Sequence, residues 1–234
     1  MNYVISDIHG CCREFEALLK KINFSINDTL YVIGDMVDRG PDPMGVLKIM
    51  ASNSNIYPVA GNHEFIMMSV LPRLMQDIKE DNITSVLTGD FLRKYSLWMG
   101  DGGNTTINEF KNLSREEQDF YLEYLGEIPL YEVVYLNRRK IVLIHSLPHD
   151  FDAKKDLNYL AEEILFGRPN FTKDWTQETV YIIGHTPTFI IPDAIPGKIY
   201  CRNNLIDIDC GCVTGYCLCA YCLETGEAFY EWHK

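Results

Sequence analysis

The stretch YVIGDMVDRG, residues 31–40, passes from apolar to charged within a few positions, placing Asp35, Asp38 and Arg39 between Gly34 and Gly40. Asp7 and His9 in DIH stand two apart, so on an extended segment their side chains aim at one point. Asn62 and His63 follow the run IYPVAG, His145 closes KIVLIH, and His185 closes TVYIIGH. Ends of apolar runs thus deliver carboxylate, imidazole and amide donors, and no cysteine. Such donors suit Mn²⁺, Fe or Zn²⁺ better than a soft-metal site. They exceed what one ion needs. Two ions sharing a bridging carboxylate would use them, and two such ions can clamp the attacking and leaving oxygens of an in-line displacement. His149 and His233 lack this context and read as surface residues.

The elements that must position these residues are five short runs rich in β-branched and aromatic residues: 3–10, 29–35, 56–64, 140–146 and 179–186. They read as buried strands. Between the first three lie helical stretches. CCREFEALLKKI puts Phe15, Leu18, Leu19 and Ile22 on one face, and PMGVLKIMASN follows Arg39. This β-α-β-α-β order predicts parallel strands with helices packed on them. Ligands then bind at the carboxyl ends of the strands, where the polar residues fall. Residues 65 to about 127 read as a helical insertion interrupted by Pro72, with a capping box from Ser114 to Glu117 and a glycine-rich loop at WMGDGGNTT, 98–106. After residue 204 come strands separated by glycine turns. A chain of 234 residues supports one substantial domain, taken as 1–234. The net charge of -12 gives no long-range attraction to nucleic acid or to an anionic membrane. The first residues do not form a signal peptide, and no run is apolar enough to cross a membrane. A cytoplasmic protein with reduced cysteines is expected.

The strings DIHG, GDMVDRG, GNHE and GHT, in this spacing, resemble the metallophosphoesterase superfamily. The resemblance is closest to its phosphoprotein phosphatase (serine/threonine protein phosphatase) branch in the small bacterial and phage form, and runs from Asp7 to about Gly215. It implies an α/β fold: a calcineurin-like β-sandwich flanked by helices, with the metal site at the carboxyl ends of the strands. It also implies two divalent ions, with Mn²⁺ the first choice. Asp7 and His9 would hold one ion, Asp35 would bridge both, and Asn62, His145 and His185 would complete the second. His63 would be the general acid that protonates the leaving oxygen, oriented by Asp38, whose carboxylate keeps the imidazole charged. Arg39 would grip phosphate as a bidentate fork, with Asn62 and, from LFGRP, Arg168 as further phosphate contacts. Gly34 and Gly40 would let the backbone turn close to the ions. The family's glycines after the ligand histidine are replaced by Ser146 and Leu147. DGGNTT resembles a loop bordering the site, and IDIDCGCVTG resembles the family's terminal hairpin.

The resemblance implies a phosphoric monoester hydrolase acting by in-line attack of a hydroxide between the ions. The substrate expected is a phosphorylated protein, on serine or threonine and conceivably tyrosine, or a small phosphoester. The alternative is a symmetrical diadenosine tetraphosphate hydrolase. Thr186 stands where such hydrolases carry an aromatic residue, and the free cations near the motifs are few: Arg39, Arg168, and Arg138 or Arg139. An inactive scaffold ranks last, because every expected ligand and His63 are present. Six cysteines crowd residues 201–222 without zinc-ribbon spacing and read as small apolar strand residues.

Overall fold

The computed structural model describes residues 1–76, 83–152, 157, 159–175 and 178–233. Part of the expected insertion, residues 77–82, lies outside the described residues.

Among the described residues, ten strands form two five-stranded mixed sheets. The first contains β1 (Asn2–Ile5), β2 (Thr29–Ile33) and β3 (Ile56–Val59), joined in parallel through α1 (Cys12–Lys21) and α2 (Pro43–Ala51). The second contains β4 (Tyr131–Leu136), β5 (Arg139–Ile144), β6 (Thr179–Ile183), β7 (Tyr200–Arg202) and β8 (Leu205–Asp207), ordered β4-β5-β6-β8-β7. The chain then returns to the first sheet. There β9 (Cys217–Cys222) pairs antiparallel with β1, and β10 (Ala228–Trp232) closes the edge.

Strand alternation explains the layering, since successive side chains point to opposite faces. Val4, Ile33 and Val59 of the first sheet meet Ile141, Leu143, Val180, Ile182 and Ile206 of the second in one buried cluster. The opposite faces are buried too. Tyr3, Ile5, Leu30 and Val32 pack against Phe15 and Leu18 of α1 and Leu47 of α2. Val142, Ile144, Tyr181 and Ile183 pack on Phe151, Ile164 and Trp175. Both faces of each sheet are therefore apolar, which is why the strands read as continuous hydrophobic runs. The β-sandwich flanked by helices matches the fold class implied by the sequence.

In the chain, β3 and β4 are separated by α3 (Asn62–Leu74), α4 (Ile83–Val86), α5 (Gly89–Gly100), α6 (Gly103–Phe110) and α7 (Arg115–Gly126). The Ser114 to Glu117 capping box is present. Two local expectations fail. Pro72 lies inside the last turn of α3 rather than breaking it. WMGDGGNTT is mostly helical: only Asp101 and Gly102 separate α5 from α6. Gly102, at φ +97°, makes that sharp break in a conformation that favours glycine. A short helix, α8 (Ala161–Phe166), precedes β6. Among the described residues no helix is long and apolar enough to cross a membrane.

Candidate metal centre

The strands stop two or more residues before most of the polar side chains, so tight loops at their carboxyl ends carry the site. Those loops are conformationally demanding. Asp7, His9, Asp35, Asp38, Arg39 and His185 all have φ between 46° and 69°. Non-glycine residues seldom adopt this left-handed region, and it gathers where function fixes the backbone. Glu64 holds the turn after β2. Its buried carboxylate accepts the amides of Asp35 (2.9 Å), Met36 (2.8 Å) and Gly61 (2.9 Å). GNHE thus contributes a brace at its fourth position, a role to which the sequence reading gave no residue.

Two groups of donors share Asp35. Atoms of His9, Asp35 and His63 lie within 4.8 Å of one another, as do those of Asp35, His145 and His185. His9 Nε2 is 3.5 Å from one Asp35 oxygen, and His145 Nε2 is 3.4 Å from the other. The imidazoles are oriented from behind. His9 Nδ1 is 3.0 Å from the Val37 carbonyl and His145 Nδ1 is 3.0 Å from the Ile33 carbonyl. Donation at Nδ1 leaves each Nε2 aimed at Asp35, the arrangement usual for a metal-ligating histidine. Asn62 Oδ1 lies 3.0 Å from His145 Nε2. Asp7 lies outside both triads; its carboxylate accepts the His185 amide at 3.0 Å. Glycines make room for these groups: a Cβ on Gly61 would fall 2.2 Å from Asp35 Oδ1, and one on Gly34 2.4 Å from His145 Nδ1.

The electrostatics are those of a site built for cations. Burial pushes His9 and His185 down to about 3, so both are neutral at pH 7, as metal-binding imidazoles must be. Burial also drives Asp7 up to about 6, with the Asp35 charge adding to the effect. Burial opposes the charge on Asp35, but His145 and His63 outweigh it and hold that carboxyl well below its usual range. Burial likewise opposes protonation of His145, yet Asp35 carries it up to about 9. A bound divalent ion would take the place of that proton. Oxygen and imidazole donors, a carboxylate between two histidine sets and the absence of thiols all fit divalent metal.

His63 is gripped differently. Its Nδ1 lies 2.7 Å from Asp38 Oδ2, which also accepts Trp98 Nε1–H at 2.9 Å, while Thr106 hydroxyl donates to the other Asp38 oxygen. Its Nε2 lies 3.3 Å from Asp101 Oδ2 and makes no hydrogen bond. Burial disfavours the charge, but Asp35, Asp101 and Asp38 raise His63 to about 10. Arg39 donates to Asp101 at 2.7 Å and contacts His9 Nε2 at 2.9 Å. Asp101, Trp98 and Thr106 went unassigned in the sequence; DGGNTT was the nearest signal. Arg168 reaches Thr186 Oγ1 at 3.4 Å and faces the same cleft as Arg39. Arg138 and Arg139 do not line it. They sit at the β4–β5 turn, and Arg139 donates to Asn204. His149 is exposed, but His233 is half-buried against Glu14 rather than a free surface residue.

The calcineurin-like phosphoesterase model matches residues 3–210, a span that includes the cleft side chains from Asp7 to His185. The chain belongs to that family. Among curated proteins it is similar to the symmetrical bis(5'-nucleosyl)-tetraphosphatase of Wigglesworthia glossinidia brevipalpis, 36% identical over 100 residues. That match covers 42% of this chain and 37% of the relative, well under half of either. The asymmetrical bis(5'-nucleosyl)-tetraphosphatase PrpE of Oceanobacillus iheyensis is 28% identical, with 93% of this chain and 86% of the relative covered. A crystal structure of a protein provisionally named a diadenosine tetraphosphatase superposes with TM-score 0.66 at 20% identity, covering 100% of this chain and 93% of that one. These curated relatives are named as bis(5'-nucleosyl)-tetraphosphatases, not as serine/threonine protein phosphatases.

Proposed function

We propose that this enzyme hydrolyses the phosphoanhydride chain of bis(5'-nucleosyl) tetraphosphates, with diadenosine tetraphosphate as the reference substrate. The observation that carries the reading is the cleft over the metal centre. It has a volume of about 810 Å³ and is lined by Asp35, Asn62, Arg39 and Arg168 at its polar end and by Leu97, Phe166, Phe189 and Ile190 beyond. Phosphate fits the first set and a nucleobase the second, since aromatic faces stack on planar rings. Phe166 is 40% and Ile190 51% exposed, unusual for large apolar side chains without a partner. Thr186 had argued against a nucleotide, but Phe189, three positions on, supplies an aromatic ring. It is stacked on Tyr216 at 5.1 Å, which holds its face in place. The names of the relatives support the same substrate class.

The residues then divide the work. Arg39 and Arg168 bind non-bridging phosphate oxygens, and Asp101 aims the Arg39 fork. Asp7, His9, Asp35, Asn62, His145 and His185 would hold two divalent ions, with Mn²⁺ preferred for this donor set. When bound, such ions polarise the phosphoryl group and make water a nucleophile near neutral pH. Water adds to phosphorus, the P–O–P bond opens opposite the attack, and His63 Nε2 gives its proton to the departing oxygen. Asp38 keeps the ring charged and turned toward the cleft. The products are two nucleoside diphosphates, or a triphosphate and a monophosphate, according to which phosphorus sits at the centre.

The deciding experiment assays Mn²⁺-loaded enzyme in parallel on diadenosine tetraphosphate and on phosphoserine, phosphothreonine and phosphotyrosine peptides, with products separated by chromatography. A higher kcat/KM for the dinucleotide is expected. A higher value for any phosphopeptide would overturn the substrate while leaving the phosphoesterase chemistry intact.

A further inference from the structure

A second set of metal-binding side chains lies outside the phosphate cleft. Cys11 immediately precedes α1, Glu14 lies in that helix's first turn, Cys212 opens a short 3-10 turn (Cys212–Thr214) between β8 and β9, and His233 follows β10. The sulfurs of Cys11 and Cys212 and a ring nitrogen of His233 all lie within 4.8 Å of one another. Glu14 Oε1 is 3.1 Å from His233 Nδ1, and the Glu14 side chain is only 7% exposed. His233 Nδ1 is itself buried and, despite that proximity, makes no hydrogen bond. A buried imidazole nitrogen without a hydrogen bond, on a ring that stands beside a carboxylate and two thiols, is an arrangement that a cation would satisfy.

We propose that Cys11, Cys212, His233 and Glu14 form a structural Zn²⁺ site. Two thiolates, one imidazole and one carboxylate make a four-coordinate tetrahedral set. With metal–ligand bonds of about 2.0–2.3 Å, donors on such a tetrahedron stand roughly 3.3–3.8 Å apart; Cys11, Cys212 and His233 already lie within 4.8 Å of one another, and Glu14, beside His233, would swing in as the fourth ligand. The thiolates separate the two sites chemically. Zn²⁺ and other soft or borderline ions prefer sulfur, whereas the cleft offers only oxygen and imidazole nitrogen. The other cysteines of this region behave as the sequence suggested: Cys210, Cys217 and Cys219 bury together as an apolar cluster. Cys212 parts from them. Occupancy would tie the end of β10 to the turn that follows His9, whose geometry is kept by the Cys11 amide donating to the Ile8 carbonyl at 2.9 Å.

The test is Co²⁺ titration of the full chain under reducing conditions, read by absorption. Cobalt bound to thiolate gives a sulfur-to-metal charge-transfer band in the near ultraviolet, which the cleft, lacking sulfur, cannot produce. The band should appear in the parent protein, bleach on adding Zn²⁺, vanish in Cys212→Ser and persist in Cys219→Ser. His233→Ala, at the half-exposed end of the described chain, should fold whether or not Cys212→Ser does. It should weaken the affinity read from this band by at least about tenfold, the lower end for losing even a group that only supports a ligand. No band in the reduced parent protein, unchanged affinity in His233→Ala, or a band that follows Cys219 instead of Cys212 would overturn the site.

Discussion

His63 is held by charge on both ring edges, with Asp38 at Nδ1 and Asp101 beyond Nε2. On the proposed reading His63 gives a proton rather than binding a cation, although it stands within 4.8 Å of His9 and Asp35, so its loss should spare the metals. His63→Asn is expected to keep its metal content by elemental analysis and to lose about 10²–10⁴-fold in kcat, the usual contribution of a general acid. The loss should be smaller for p-nitrophenyl phosphate, whose leaving group needs little protonation; an equal loss on good and poor leaving groups would contradict the acid role. Phe189 bears on the substrate instead. Phe189→Ala should raise KM for diadenosine tetraphosphate by about 5–150-fold, given roughly 1–3 kcal/mol per stacked base. KM for p-nitrophenyl phosphate, which has no base, should hardly change. What was legible at this scale follows from locality. Asp7 and His9, Asp35 through Arg39, and Asn62 through Glu64 lie within single turns, so their types and spacing show in the sequence. Trp98, Asp101 and Thr106 reach Asp38 and Arg39 from 60 or more residues away, and Asp101 also reaches His63 from a separate helix break. Nothing in their local spacing announces that contact; the fold alone creates it.

The turns after β2 and β3 form one interlocked unit, because Glu64 of α3 binds amides on both. At Gly61 a Cβ would stand 2.4 Å from the Asp35 nitrogen as well as against its carboxylate. Gly61→Ala should therefore displace Asp35 and lower Mn²⁺ affinity, read by calorimetric titration, while Ser114→Ala at the remote cap of α7 should leave metal affinity unchanged. The cap variant should instead lose about 1 kcal/mol of stability in urea, the typical cost of an N-cap. The same elements show what sequence patterns can and cannot convey. The five buried strands were plain because both their faces are apolar. β4 escaped notice because Tyr131 and Tyr135 are exposed and the strand is amphipathic. Its hairpin turns through Asn137 and Arg138, both at positive φ, without the glycine that usually marks such a turn. The helices around Asp101 were hidden by the opposite signal: three nearby glycines suggest a loop, yet only Gly102 of them needs the left-handed conformation.

Among the described residues, several buried carboxylates lie close enough to raise one another. Asp7, Asp35, Asp207 and Asp209 are all nearly or fully buried. Burial drives Asp7, Asp207 and Asp209 upward, and Asp7 and Asp209 each feel the charge of the other carboxylates nearby. Both sheets meet at this end of the sandwich, Asp7 and Asp35 following β1 and β2, and His145 and His185 following β5 and β6. A cation bound there would relieve the repulsion and bridge the two sheets at once, whereas the unfolded chain would scatter the ligands. Ligands that bind only the folded state stabilise it by mass action, about 2.7 kcal/mol at a hundred times Kd. For a chain of this size each kcal/mol is worth roughly 2–4 °C in Tm, so saturating Mn²⁺ should raise Tm by about 5–10 °C over chelated protein. Asp35 is the residue common to both donor groups. Asp35→Asn should therefore abolish most of the metal-dependent rise and turnover together, and leave the Tm of chelated protein no lower than that of the parent by more than the metal term. Calorimetry with and without Mn²⁺ checks this directly. A Tm independent of Mn²⁺ in the parent protein would mean that the sheets are held by their shared core of Val4, Ile33, Leu143 and Ile182 alone, with the ions playing no part in stability.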